Sequence, residues 1–309
     1  MKAVRIHSFG GPEMLALDEI PVPAPKAGEY LVRIGGAGVN PVDYKIRQGG
    51  YPKITQAQLP ITLGRDVCGI IQSSANGGVD HAGDAVYALL DWNLGGYAEF
   101  VCVSAALCAP KPASLSIAEA GAVPLAALTA WQGIFDNGKL EAGQTILIHA
   151  GSGGVGHFAV QFARNKGARV IATASGKNMD FVRQLGADTV IDYKAERFED
   201  AAVKVDVVFD LIGGETRERS WGTLRPGGIL VSTLGQPDES KARQYGVRSK
   251  GYTAEPNRAQ LIEIGRLIDE KKVRPIITRS YPLQAARDAQ RFLEHEHPRG
   301  KVVLTTGAG

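Results

Sequence analysis

The stretch ILIHAGSGGVGHFAVQFARNKGARVIATASGKN, residues 146–178, constrains the fold more than any other part of the chain. An apolar run ends in glycines, a segment of helical periodicity follows, and a second apolar run closes the unit. Gly151, Gly153 and Gly156 spell G-x-G-x-x-G between a predicted strand at 145–149 and a predicted helix at 154–166. In that pattern Gly151 is expected to permit a tight turn. Gly153 lets the backbone approach a pyrophosphate, and Gly156 lets helix and strand pack closely. Ser152, Gly154 and Val155 complete the loop, and the helix N-terminus offers unpaired N–H groups to the phosphates. A glycine triplet alone is a weak signal. Strand, glycines, helix and second strand within one unit of about thirty residues point to a bound dinucleotide.

A site that prefers NAD places Asp or Glu at the end of its second strand, on the ribose 2′-OH. Here that end reads Thr173-Ala174-Ser175-Gly176-Lys177-Asn178. Ser175 supplies a hydrogen-bond donor and Lys177 a cation, which suits the 2′-phosphate of NADPH. The alternative is that Ser175 caps the next helix and Lys177 is a solvated charge.

The pattern divides the chain in two. Up to about residue 111 the apolar runs are short and often alternating, at 2–6, 30–34, 67–71, 84–90 and 97–103, which reads as mostly antiparallel β-structure. Residues 114–137 look helical, with Ser116 and Glu119 at capping-box spacing and Pro124 as an interruption. Predicted strands at 145–149, 168–173, 189–191, 205–211 and 228–234 then alternate with helices at 154–166, 178–185 and 216–224. That alternation implies a parallel sheet covered on both faces. A strand near 246–253 closes this unit, and helices near 257–270 and 283–294 precede a strand at 301–305.

Composition excludes other classes. The 309 residues carry 35 basic and 32 acidic side chains, spread without a basic run, which argues against a nucleic-acid partner. No apolar stretch reaches the ~18 residues of a membrane span, and no apolar region follows the first charges. Three cysteines without CxxC spacing suit a reducing cytoplasmic compartment.

Residues 38–43 (GVNPVD) with Arg47 and Gly49, 64–69 (GRDVCG), 95–100 (GGYAEF), 124–131, the glycine loop and 299–304 (RGKVVL) occur in one order along the chain. In these segments the chain resembles the medium-chain dehydrogenase/reductase superfamily, in particular its zinc-independent quinone oxidoreductase (zeta-crystallin-like) group. The resemblance implies an α/β protein with a GroES-like β-rich catalytic domain at 1–117 and 257–309. A Rossmann doubly wound parallel-sheet domain is implied at 118–256. It also implies a homodimer formed at the edge of the Rossmann sheet. The zinc ligand positions of the metal-dependent relatives fall on Asn40, Arg65 and near Leu125; Arg cannot ligate zinc and Leu has no donor atom.

Without a Lewis acid an activated C=C bond or a quinone is the easier hydride acceptor, since hydrogen-bond donors can stabilise the oxygen charge that develops. Asn40 is expected to bond the substrate carbonyl or the nicotinamide ribose, or to be only a turn residue before Pro41. Tyr44 and Tyr51 are candidates for proton donation or pocket lining, and Lys45 for contact with the cofactor or the enolate oxygen. By resemblance Thr129 lies beside the nicotinamide and Tyr193 near the adenosine phosphate. Asp43 is expected to be structural, paired with Arg47, and His149 a packed strand residue. The expected activity is NADPH-dependent reduction of a quinone or an α,β-unsaturated carbonyl. The alternatives are a ketone or enoyl-thioester reductase, and a crystallin-like or regulatory protein that binds NADPH with little turnover.

Overall fold

The computed structural model describes residues 1–75 and 78–307. The chain divides into two compact units, one of Met1–Leu125, Pro256–Lys271 and Pro275–Gly309, the other of Ala126–Glu255 and Lys272–Arg274. In chain order the first strands are β1 (Lys2–Ile6), β2 (Leu15–Glu19), β3 (Glu29–Val39), β4 (Ile61–Thr62), β5 (Asp66–Ala75), β6 (Ala85–Leu89), β7 (Phe100–Ser104) and β8 (Ala109–Pro110). There follow β9 (Thr145–Ile148), β10 (Arg169–Ala174), β11 (Thr189–Asp192), β12 (Val205–Asp210), β13 (Leu224–Ser232), β14 (Arg248–Gly251), β15 (Ile277–Pro282) and β16 (Lys301–Thr305).

In the second unit the six strands β9 to β14 form one sheet in the order β11-β10-β9-β12-β13-β14. Every pair is parallel. This is the doubly wound arrangement, with the chain starting at the middle strand and building outward in both directions. The strands read as apolar runs because both faces are covered: Ile146, Leu147 and Ile148 on β9 and Val207, Val208 and Phe209 on β12 are all buried. The helix Gly156–Lys166 lies against β9 and β10. It ends at Gly167, whose φ of +83° is the left-handed conformation that glycine adopts at low cost.

His149, just past β9, shows how tightly this unit is packed. Its ring nitrogens meet Thr173 Oγ1 at 3.2 Å and Ser220 Oγ at 2.9 Å, and its face is closed by Phe198. Burial pushes its pKa down from 6.5 to about 4. The unfolded chain therefore binds the proton more readily than the folded one between those values. Stability is complete above about pH 6.5 and falls as the pH drops towards 4, by about 3 kcal/mol in all. Denaturation profiles should show this slope, and a His149→Gln variant should flatten it.

The first unit holds the remaining strands. A small antiparallel sheet runs β2-β1-β4, and a larger one runs β15-β16-β3-β5-β6-β8, with β7 also pairing β3. All its pairs are antiparallel except β15 with β16. Ser116 caps the short helix Ile117–Gly121 as its spacing predicts: Oγ accepts from Glu119 N, and Glu119 Oε2 accepts from Ser116 N. That helix lies on β3 with glycine against glycine, because a Cβ at Gly121 would stand 2.4 Å from the Gly36 carbonyl oxygen.

Three differences from the sequence reading have local causes. The helical stretch at 114–137 is Ile117–Gly121, then Pro124–Trp131, then a π-helical run Gln132–Asn137. Pro124 opens the second helix, where its missing N–H costs nothing. Strands β2 and β15 lie at sheet edges; β15 is largely exposed and β2 buries only Leu15, so neither carries much apolar signal. The helix Pro41–Arg47 was read only as a motif, since its seven residues are too few for a periodic pattern.

Candidate functional site

The glycine loop stands in the second unit. The sharp turn after β9 is made by Ala150, with φ +55°, and not by Gly151 as the glycine pattern suggests. Gly151 is instead a packing residue: a Cβ there would lie 2.9 Å from Ala172 Cβ, and its N–H donates to Thr173 O at 2.9 Å. Gly156 is required by the helix, because a Cβ would stand 2.1 Å from the Ala150 carbonyl oxygen. Gly153 differs from both. Its Cβ direction meets only Ala150 O, at 3.4 Å, so the fold itself leaves room for a side chain. Val155 precedes the helix without a side-chain cap; the Gly153 N–H donates to Ala150 O at 3.0 Å, which leaves those of Ser152, Gly154 and Val155 for an anion.

The proposed 2′-phosphate residues stand beside this loop. Ser175 opens the short turn Gly176–Asn178, makes no side-chain cap and is half-buried; Lys177 is exposed. The reading of Ser175 as a cap therefore does not hold. Tyr193, past β11, is 57% exposed. Asn178 joins the two loops, donating from Nδ2 to Ser152 Oγ at 3.2 Å, a link that sequence spacing did not reveal.

Thr129 is buried on the helix Pro124–Trp131, and its carbonyl accepts from Tyr252 Oη at 2.5 Å. The Gln132 amide grips the Glu255 backbone in both directions, at 2.8 and 3.0 Å. Gly133 fits beneath Tyr252 because a Cβ there would stand 2.5 Å from the phenol oxygen.

A buried polar cluster occupies the first unit. Asn40 Nδ2 donates to Asp66 Oδ2 at 2.8 Å and to Gly38 O at 3.3 Å, and Asn40 Oδ1 accepts from Lys301 Nζ. Lys301 also pairs with Asp66 at 3.5 Å; the two side chains are 3% and 0% exposed. Asp66 Oδ1 accepts from Leu125 N at 2.5 Å. Both amide hydrogens of Asn40 are thus engaged, and its Oδ1 is taken by the Lys301 ammonium. Asp43 is not paired with Arg47 as expected. It accepts from Asn40 N and Tyr97 Oη, each at 2.8 Å, while Arg47 reaches Glu294 at 3.0 Å. Burial pushes the Asp43 carboxyl up to about 7, against the lowering effect of its two donors.

Arg65 donates from Nε to Leu90 O at 2.8 Å and stacks 3.6 Å above the Trp92 ring, which stacks on Tyr51 at 4.8 Å. Its two terminal nitrogens are buried without a hydrogen-bond partner. Lys45 is half-buried, and among the described residues its ammonium has no hydrogen bond or ion pair.

Asn40, Arg65 and Leu125 do not fit a catalytic zinc. Asn40 already faces an ammonium, Arg65 lies flat on Trp92, and Leu125 contributes only a backbone N–H. A dication placed there would meet the positive charge of Lys301.

Residues 26–113 match the alcohol dehydrogenase GroES-like domain, and residues 185–304 match a family described as zinc-binding dehydrogenase. The second match contains none of the three ligand positions. An NADPH-dependent alkenal/one oxidoreductase of Arabidopsis thaliana is 35% identical over 98% of this chain and 79% of its own length. The quinone oxidoreductase structure from Coxiella burnetii superposes with a TM-score of 0.93 at 35% identity, covering 99% of both chains. The chain belongs to the medium-chain dehydrogenase/reductase superfamily, in its quinone oxidoreductase group. A mycobacterial structure complexed with NADPH, at 29% identity and TM-score 0.89, covers 99% of both chains.

Within this quinone oxidoreductase group member, the sequence reading missed Lys301, Asp66, Asn178 and Tyr252. Lys301 left one signal, a lone charge between Gly300 and the apolar triplet Val302-Val303-Leu304 of β16.

Proposed function

We propose that this protein is an NADPH-dependent oxidoreductase that delivers hydride to an α,β-unsaturated carbonyl or a quinone. The observation that carries this reading is Gly153, a glycine the fold does not need, at the mouth of an uncapped helix. The relative named for alkenals and the NADPH-bound neighbour support it.

NADPH supplies the hydride. The N–H groups of Ser152, Gly154 and Val155 would hold the diphosphate, with Gly153 letting it approach the backbone, Ser175 and Lys177 would hold the 2′-phosphate, and Tyr193 would flank the adenosine. Thr129, fixed through Tyr252, sets the nicotinamide position. Asn40, whose amide hydrogens go to Asp66 and Gly38 and whose Oδ1 accepts from Lys301, holds the buried cluster together rather than donating to a substrate carbonyl. Lys45 Nζ would meet the negative charge that develops on the substrate oxygen, and Tyr51 Oη would donate the proton that completes the reduction and regain it from solvent. A homodimer joined at the open edge of β14 belongs to the same reading.

NADPH consumption with a panel of enones, enals and quinones tests the activity. Turnover on at least one acceptor class is expected. NADPH binding by fluorescence titration with no turnover on any acceptor would instead favour a binding protein.

A further inference from the structure

The second strand carries no acid at its end, yet a carboxylate stands there. It comes from the neighbouring strand. The register of β10 and β11 sets Ala174 opposite Asp192, and Tyr193 N donates to Ala174 O at 3.2 Å. Asp192 thereby reaches the turn that follows β10. A Cβ at Gly176 would lie 2.6 Å from Asp192 Oδ2, so only glycine fits between Ser175 and Lys177. The other oxygen, Oδ1, accepts from Lys194 N at 3.1 Å, which holds the carboxylate against this turn. One oxygen is used by the fold and the second faces the Ser175–Lys177 backbone.

We propose that Asp192 does from β11 what an acid at the end of β10 does elsewhere: it faces the 2′ position of the adenosine ribose and limits the preference for a 2′-phosphate. This rests on the NADPH reading above. Two opposed groups then act on one ligand position. Lys177 attracts a 2′-phosphate. Asp192 repels it and accepts from a free 2′-OH. The protein prefers NADPH by less than its lysine alone would give, and it retains use of NADH. Gly176 keeps the balance, since any side chain there would displace the carboxylate.

Binding of 2′,5′-ADP and of 5′-AMP to the whole protein, measured by calorimetry, tests this without turnover. The two probes differ only in the 2′-phosphate. Asp192→Asn keeps the Oδ1 acceptor for Lys194 N and removes the charge, so the turn is preserved. The variant should raise the affinity ratio of 2′,5′-ADP to 5′-AMP at least threefold, and the gain should shrink as salt is raised. A ratio within threefold of the wild-type value overturns the proposal. Lys177→Ala should move the ratio the other way. The wild-type ratio tests the cofactor reading separately: a value of one or below would contradict that reading, while the change caused by Asp192→Asn remains readable from any starting value.

Discussion

Replacing Gly153 with valine is expected to weaken NADPH binding at least about a hundredfold while leaving the protein folded. A branched side chain would fill the space above the helix N-terminus where the diphosphate is held, and the N–H groups there would lose their ligand. The fold itself tolerates a Cβ at 153, with its nearest neighbour at 3.4 Å. Gly156→Val is the contrasting control. Its Cβ would press to 2.1 Å on the Ala150 carbonyl oxygen, so the helix would have to move off β9 and the melting temperature should fall steeply. Fluorescence titration paired with thermal melting separates the two effects. Normal NADPH affinity in the Gly153→Val protein would show that the loop is not the phosphate cradle.

Lys301→Met should cost about 3–5 kcal/mol, among the largest losses open to a single substitution in the first unit. The change leaves the Asp66 carboxylate at 0% exposure without its cation and takes a donor from Asn40 Oδ1. Asp66→Asn alone should be similarly damaging, because a buried ammonium would then stand unpaired. The double variant should lose clearly less than the sum of the two, since the members of a pair in contact are not additive. Urea denaturation of the four proteins gives the cycle. Single losses below about 1 kcal/mol, in the range of surface ion pairs, would mean that the pair does not hold this region together.

The parts that were legible in the sequence are those where one residue type answers to one local need. The glycine loop, the alternation of apolar runs with helices and the Ser116 capping box are all of this kind. What was hidden depends on residues far apart in the chain. Lys301 meets Asn40 across 261 positions, and no spacing rule reaches that far. The turn expected at Gly151 was displaced by one residue because Ala150 adopts the left-handed conformation, which glycine usually marks. No acid follows β10 along the chain, whereas Asp192 arrives across the sheet. Its role depends on the register between β10 and β11, which a sequence does not state. Asn40 illustrates a further limit: its place in the motif was visible, but whether its amide hydrogens were free could be known only from Asp66 and Gly38 around it.

The most direct test of the proposed chemistry is the fate of the hydride. NADPH deuterated at C4 of the nicotinamide, in each stereoisomer, would be supplied with an enone that also offers a reducible carbonyl. A site with Asn40, Arg65 and Leu125 at the zinc ligand positions, which cannot hold a metal to polarise the carbonyl, should send hydride to the β-carbon. The expected product is the saturated ketone, with deuterium from one stereoisomer on the β-carbon and the carbonyl intact. Deuterium on the carbonyl carbon of an allylic alcohol would contradict this and would place the protein among the carbonyl reductases.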